Sequence, residues 1–290
     1  MKLEGARILI TGAAGGIGSV TAERLASAGA RVLLVGRNAS RLDALARRLE
    51  HKRGMAAALV ADVATDAGRE AIVETASRWQ GGIDALVNVA GVNRFGLFEQ
   101  QSLAEIERIM LTNAVAPMQL CHALLPSLRS RGEAHIVNVG SILGSIAMPG
   151  NAAYSASKFA LHGFSEALRR ELADSGVRVH YVAPRATATA FNDAGVNAMN
   201  RELKIAVDPP EVVALAVMHA LVDDRSETFI GWPERLFVRL NGLLPRLVDQ
   251  ALRRQLPVVQ RYAKSLPPSQ SASEQHSVSS GPQREIHANG

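Results

Sequence analysis

The feature that most constrains this chain is a strict alternation of short apolar runs with helix-like stretches. Arg7–Thr11, Arg31–Val35, Met55–Ala61, Ile83–Val87, His135–Val139 and Val177–Val182 are runs dominated by Val, Ile, Leu and Ala. Runs with so little polar alternation suit strands covered on both faces. Between them lie helical patterns at Gly18–Ala28, Ala39–Arg53, Asp66–Trp79, Leu103–Leu111, Ala114–Arg129 and Tyr154–Ala173. Gly29 and Gly54 follow the last turns of two of these, where a left-handed residue ends a helix. Strict β-α alternation with short joints predicts an α/β fold with a doubly wound parallel sheet.

Past Pro184 the pattern loosens. Ala186–Val207 has no sustained period, as in a lid or binding segment. A helix over Pro210–Leu221 and a last strand at Thr228–Gly231 follow. Then Leu236, Leu240, Leu243, Leu244, Leu247, Val248, Ala251 and Leu252 recur at helical spacing, with Pro245 placed to kink or split the helix. From Ser265 onward the chain is rich in Ser, Pro and Gln and reads as disordered. The expected organisation is one domain over 1–232, a basic amphipathic helical extension over 233–264 and a tail over 265–290.

Charge narrows the function classes. The net charge is +5, and the segment from Glu234 to Lys264 accounts for all of it: Arg235, Arg239, Arg246, Arg253, Arg254, Arg261 and Lys264 face only Glu234 and Asp249. The body is neutral, so no nucleic-acid partner is expected. No apolar run reaches the roughly 18–20 residues of a membrane-spanning helix. The single cysteine, Cys121, excludes an internal disulfide and reads as a small buried hydrophobe. His122, His162 and His180 have no metal-ligand spacing, and no metal is expected. The start of the chain has no signal-peptide pattern, so a cytoplasmic protein is expected.

Thr11-Gly12-Ala13-Ala14-Gly15-Gly16-Ile17-Gly18 closes the first strand and opens the first helix. A pyrophosphate can approach bare backbone there, and the helix N-terminus offers free N–H groups and a positive dipole end. That makes the predicted sheet a Rossmann-type one. The second strand ends Val35-Gly36-Arg37-Asn38, with no acid before Asp43. A carboxylate at this place would favour NAD and repel a 2′-phosphate, whereas Arg37 can clamp the phosphate, so NADP(H) is the expected cofactor. Asp62 and Val63 follow the third strand; Asp62 can accept from the adenine amino group and also suits a helix cap. Asn88-Val89-Ala90-Gly91 follows the fourth, and its small residues let backbone lie against a cofactor.

Tyr154 and Lys158 lie four apart at the start of a helical stretch, on one face. A free tyrosine is a poor base at neutral pH, and a nearby ammonium stabilises its phenolate. Ser141 sits just past the fifth strand, at the carboxyl edge where such sheets bind ligands. It lacks a Gly-x-Ser-x-Gly context, which argues against a hydrolase triad.

Taken together, TGAAGGIG (Thr11–Gly18), NVAG (Asn88–Gly91), Asn113, Ser141 and YSASK (Tyr154–Lys158) resemble the short-chain dehydrogenase/reductase family over roughly residues 5–232. The resemblance implies an oxidoreductase moving hydride between a nicotinamide and a carbonyl or alcohol substrate. It assigns Tyr154 as proton donor and acceptor, Ser141 as the group positioning substrate oxygen, and Lys158 as ribose binder lowering the Tyr154 pKa. Asn113 would hold a relay water, and Gly12, Gly16, Ile17, Gly18, Ala90, Gly91, Pro184, Thr187 and Thr189 would contact the cofactor. A homo-oligomer is also implied. Two positions depart from the family pattern: Val89 replaces a second asparagine, and Arg185 replaces the glycine after Pro184. Arg185 is expected to be a local structural adjustment, with contact to an anionic group as the alternative. The basic extension has three readings: packing on the body or a second subunit, covering the substrate site, or peripheral contact with an acidic membrane or lipid. A cofactor-binding regulator or scaffold with little turnover is the competing function.

Overall fold

Parallel strands cannot be joined by a tight turn, so each must return through a connection laid over a sheet face. The computed structural model describes residues 1–50 and 56–265. Its strands are β1 (Arg7–Thr11), β2 (Arg31–Gly36), β3 (Ala56–Val60), β4 (Ala85–Asn88), β5 (Ala134–Val139), β6 (Val177–Ala183) and β7 (Glu227–Phe229). They form one sheet in the order β3-β2-β1-β4-β5-β6-β7, parallel at every pairing. The helices of the body are α1 (Gly16–Ser27), α2 (Ala39–Glu50), α3 (Asp66–Arg78), α4 (Leu103–Met110), α5 (Ala116–Arg129), α6 (Ala152–Glu171), α7 (Ala194–Glu202) and α8 (Pro210–Asp223). The extension adds α9 (Glu234–Leu243), α10 (Pro245–Arg253) and α11 (Leu256–Lys264).

Successive strand residues face opposite sides, and the core divides accordingly. Ile8, Ile10, Val32 and Leu34 join Leu42, Val213 and Val217 on one face, while Leu9, Leu33, Leu86 and Ile136 join Ile72, Leu120 and Leu124 on the other. After β3 the chain crosses back to the far side of β1, so the strand order reverses between β1 and β4. Thr11 and Asn88 lie in register there, and ligands of such sheets bind in the crevice beyond those strand ends.

Strand boundaries differ from the sequence reading by one or two residues, as strand and helix ends generally do. Three differences are larger. The segment read as irregular between Ala186 and Val207 contains α7, capped by Asp193, whose side chain accepts from the Val196 N–H. Nine residues with two fully buried side chains are too short to register as a period. The predicted break between two helices near residue 112 is a π-turn, Leu111–Val115, that carries α4 into α5. Pro245 does split the extension, starting α10, and a further helix, α11, follows it. Gly29 ends α1 with φ 88°, as expected; Gly54 and the tail beyond Ser265 lie outside the described residues. No described helix is long and apolar enough to cross a membrane.

On β5 and β6, on the side of the sheet away from the crevice, His135 and His180 are fully buried and bonded to each other. His180 Nδ1 is 2.9 Å from the Arg225 carbonyl, which only accepts, so the His180 proton sits on Nδ1. His180 Nε2 then accepts from His135 Nδ1 at 2.8 Å. Burial pushes His135 below its usual value and His180 down to about 4. The stability of this neutral pair is complete above the unfolded value of 6.5 and is lost as pH falls towards about 4. The thermal midpoint is expected to fall across that window, and to fall less in His180→Gln. Equal slopes for the two proteins, measured by circular dichroism, would refute the coupling.

Candidate active site

The site is assembled where β1 and β4 end. Thr11 is buried, and its hydroxyl accepts from the N–H groups of Val89 (3.1 Å) and Ala90 (3.3 Å), tying the two strand ends together. Gly12 follows with φ 66°, and a Cβ there would lie 2.8 Å from the Ala90 backbone. A Cβ on Gly18 would meet the Gly12 carbonyl oxygen at 2.2 Å. Both glycines are therefore demanded by the protein's own backbone, before any ligand is considered. Helix α1 starts here, and among the described residues no side chain caps it. Its first residues, Gly16, Ile17 and Gly18, line a cavity of about 1210 Å³.

Nearly all of the sequence-derived candidates meet in this cavity. Arg37, Asp62, Val63, Ala90, Gly91, Ser141, Tyr154 and Lys158 all line it, with Arg37 and Asp62 close to each other. Pro184, Thr187 and Thr189 line it as well. Thr189 lies so near α1 that a Cβ on Gly16 would come within 2.5 Å of its methyl carbon. Asp62 is not the cap of α3: its Oδ1 accepts from Ala64 N at 2.9 Å, and Thr65 caps the helix by accepting from Gly68 N. Its other oxygen lies 3.9 Å from the exposed Arg37 guanidinium. Sequence reasoning missed Arg41, one helical turn after Arg37 and lining the same cavity. It also missed Asn93 and Asn151, which line the cavity and are joined by a 2.9 Å hydrogen bond.

Asn88 and Asn113 stand behind the cavity wall. Asn88 is buried and donates to Asn138 Oδ1 (2.9 Å), which passes the chain to Ser165 through its own amide (2.9 Å). Asn113, presented by the π-turn, accepts from Val92 N (2.8 Å) and donates to Val92 O (2.8 Å) and Ser157 Oγ (3.0 Å). It thereby fixes the strand-end loop to α6.

Ser141 is steadied from below by buried Tyr181, whose hydroxyl donates to the Ser141 carbonyl at 3.2 Å and whose ring stacks on His162. Lys158 Nζ lies 5.7 Å from the Tyr154 ring centre and donates to Val139 O at 3.1 Å. Burial pushes the Tyr154 phenol up to about 12 against the pull of a hydrogen bond with Ser141, and burial lowers Lys158 to about 8. The phenol is thus protonated in the protein alone; burial dominates, Ser141 opposes it, and the lowering expected from Lys158 is not among the causes. Arg185 resolves as a structural group. It binds Asp208 through two hydrogen bonds (2.9 and 2.7 Å) and Glu234 at 3.1 Å.

The fold and the site define a dinucleotide-type α/β oxidoreductase. The profile of the short chain dehydrogenase family matches residues 6–200. A ketoacyl reductase from Nostoc sp. is 33% identical over 257 residues, which span 87% of this chain and 89% of that protein. A short-chain dehydrogenase from Sphingobium yanoikuyae, solved with NADPH, superimposes with a TM-score of 0.72 at 32% identity, covering 92% of this chain and 98% of that one. One from Burkholderia phymatum, solved with NAD, gives 0.77 at 22% identity over 85% and 96%, a likeness of fold. The chain belongs to the short-chain dehydrogenase/reductase family.

Truncating Asn113 to alanine strands the Val92 N–H and carbonyl and the Ser157 hydroxyl, a cost of roughly 2 kcal/mol or more. The thermal midpoint is expected to fall by roughly 4–8 °C, as calorimetry would measure. An unchanged midpoint would remove the bracing role.

Proposed function

We propose that this protein is an NADP(H)-dependent reductase that interconverts a ketone and a secondary alcohol on an apolar or acyl-type substrate. The observation that carries the reading is the meeting of Ser141, Tyr154 and Lys158 with the glycine turn in one continuous cavity. The residues fit a dinucleotide: the turn leaves no room for side chains, and α1 presents an uncapped N-terminus for a pyrophosphate. Arg37 and Arg41 would supply two positive groups for an adenosine 2′-phosphate, and Asp62 would accept from the adenine amino group. Thr187 and Thr189 suit the carboxamide end. The NADPH-bound relative supports the same preference, and the ketoacyl reductase relative supports an acyl-type carbonyl.

In this reading the nicotinamide supplies or takes the hydride. Ser141 and Tyr154 hold the substrate oxygen, and the buried, protonated phenol delivers its proton as negative charge grows there. Lys158 offsets the charge left on the phenolate. With these three groups retained, a scaffold role without turnover has no structural feature in its favour.

Tyr154→Phe is expected to lower turnover by roughly 10²–10⁴-fold while NADPH still binds, as fluorescence titration would report. Arg37→Asp combined with Arg41→Ala is expected to reduce the NADPH-over-NADH preference by about tenfold or more. A preference unchanged in that double variant would overturn the NADP(H) assignment.

A further inference from the structure

Arg185 stands where the family pattern has glycine, and the surrounding chain is built to receive it. It leaves the end of β6 and meets Asp208 at the close of the substrate loop. The loop's own backbone is stitched there too: Asp208 N donates to Ala186 O and Ala188 N to Asp208 O, each at 2.9 Å. The same guanidinium reaches Glu234, the first residue of α9. All three side chains are mostly buried, at 18%, 13% and 21% exposure. Gly231, with φ 103°, gives the arginine passage; a Cβ there would lie 2.9 Å from Arg185 Cδ and 2.8 Å from Glu234 Oε2.

What the latch joins is a bridge over the Tyr154 cavity. On one side Val238, Val248 and Leu252 pack against Ile142 and Ile146, just beyond Ser141, and Asn241 donates to Ser145 O at 2.9 Å. On the other side Val259 and Ala263 of α11 pack against Met199 of α7, and the Tyr262 hydroxyl donates to Glu202 at 3.1 Å. Leu240, Leu244 and Leu247, with the anchoring Val248 and Leu252, line the same cavity as Tyr154. Leu244 and Leu247 remain half-exposed, at 50% and 58%, a cost that a covering apolar group would remove.

We propose that the α9–α10 face is a subsite for the long unbranched tail of an acyl substrate, and that Arg185, through Asp208 and Glu234, is the positioning residue that holds this wall against the substrate loop. The proposal rests on the reductase reading. The tail lies along the leucine face while the carbonyl reaches Ser141 and Tyr154, so selectivity depends on a wall remote from the reacting atoms. The Arg185 contacts tie the start of that wall to the substrate loop at Asp208. Loss of the Glu234 contact frees α9 at its first turn, and the tail then loses its partner surface.

The test compares 3-oxododecanoyl and 3-oxobutanoyl thioesters of N-acetylcysteamine with the full chain and NADPH. In the unaltered protein kcat/KM is expected to favour the long substrate by on the order of a hundredfold, which corresponds to burial of roughly three to four of the extra methylenes at about 0.8 kcal/mol each, the rest of the tail staying in contact with water. Glu234→Gln and Leu247→Ser are each expected to reduce that ratio by about tenfold, the loss appearing in KM rather than kcat. Leu247 is exposed enough for its variant to fold, and circular dichroism checks both. The tail subsite is read without turnover by calorimetric binding of the dodecanoyl thioester lacking the keto group, which should weaken in Leu247→Ser. No long-chain preference, or a ratio and an affinity untouched by both variants, overturns the proposal and leaves the reductase reading standing. Absence of NADPH oxidation with any ketone or thioester counts instead against the reductase reading, while the calorimetric comparison still decides the subsite.

Discussion

The close approach of two strand ends governs the rest of this molecule. With the Gly12 and Ala90 backbones in contact and the Thr11 hydroxyl accepting from Val89 and Ala90, β1 and β4 are held at one spacing. The crevice between them is where the strand order reverses, so its width is set by protein packing and not by a ligand. From that contact the positions of α1, the Asn88–Gly91 loop and, through Asn113, α6 all follow. Because α6 carries Tyr154 and Lys158, the glycine turn is linked to them through the Val89–Val92 backbone, Asn113 and Ser157. Asn88 serves the same scaffold from below through Asn138 and Ser165. The Val89 departure is accommodated easily, since its main-chain N–H makes the contact that matters to Thr11.

Much of this was legible in the sequence because the constraints are local. Parallel strands covered on both faces are mostly apolar, and the central residues of β1 and β2 read so directly. A turn that excludes Cβ atoms must be glycine, and the turn at Gly12–Gly18 announced itself. What stayed hidden depends on partners far away in the chain. A helix as short as α7 is stabilised by its cap and by α11, and neither leaves a period in nine residues. The π-turn at Asn113 is read from sequence as a break, although it adds a residue to a continuous helix and turns the asparagine toward Val92. Arg41 went unnoticed because an arginine on a surface helix carries no mark of the cavity it lines. Arg185 was noticed as an anomaly, but its two carboxylate partners are 23 and 49 residues away.

The electrostatics of the proton-handling pair follow from burial more than from pairing. Sequence spacing puts an ammonium beside a phenol and suggests a lowered phenol pKa. The structure buries both groups, and burial disfavours the charged form of each: the phenol rises to about 12 and the ammonium falls to about 8. These opposed shifts leave a protonated phenol beside an ammonium that gives up its proton more readily than a free lysine, the state from which the proposed reduction would begin. The hydrogen bond from Ser141 works against burial at Tyr154, so the group proposed to hold substrate oxygen also moderates the phenol. A second positive charge near the ring is therefore what would bring the phenolate within reach for oxidation. Under the proposed reductase reading, the two directions of reaction would place different demands on these two groups, and burial of the phenol suits the reductive one.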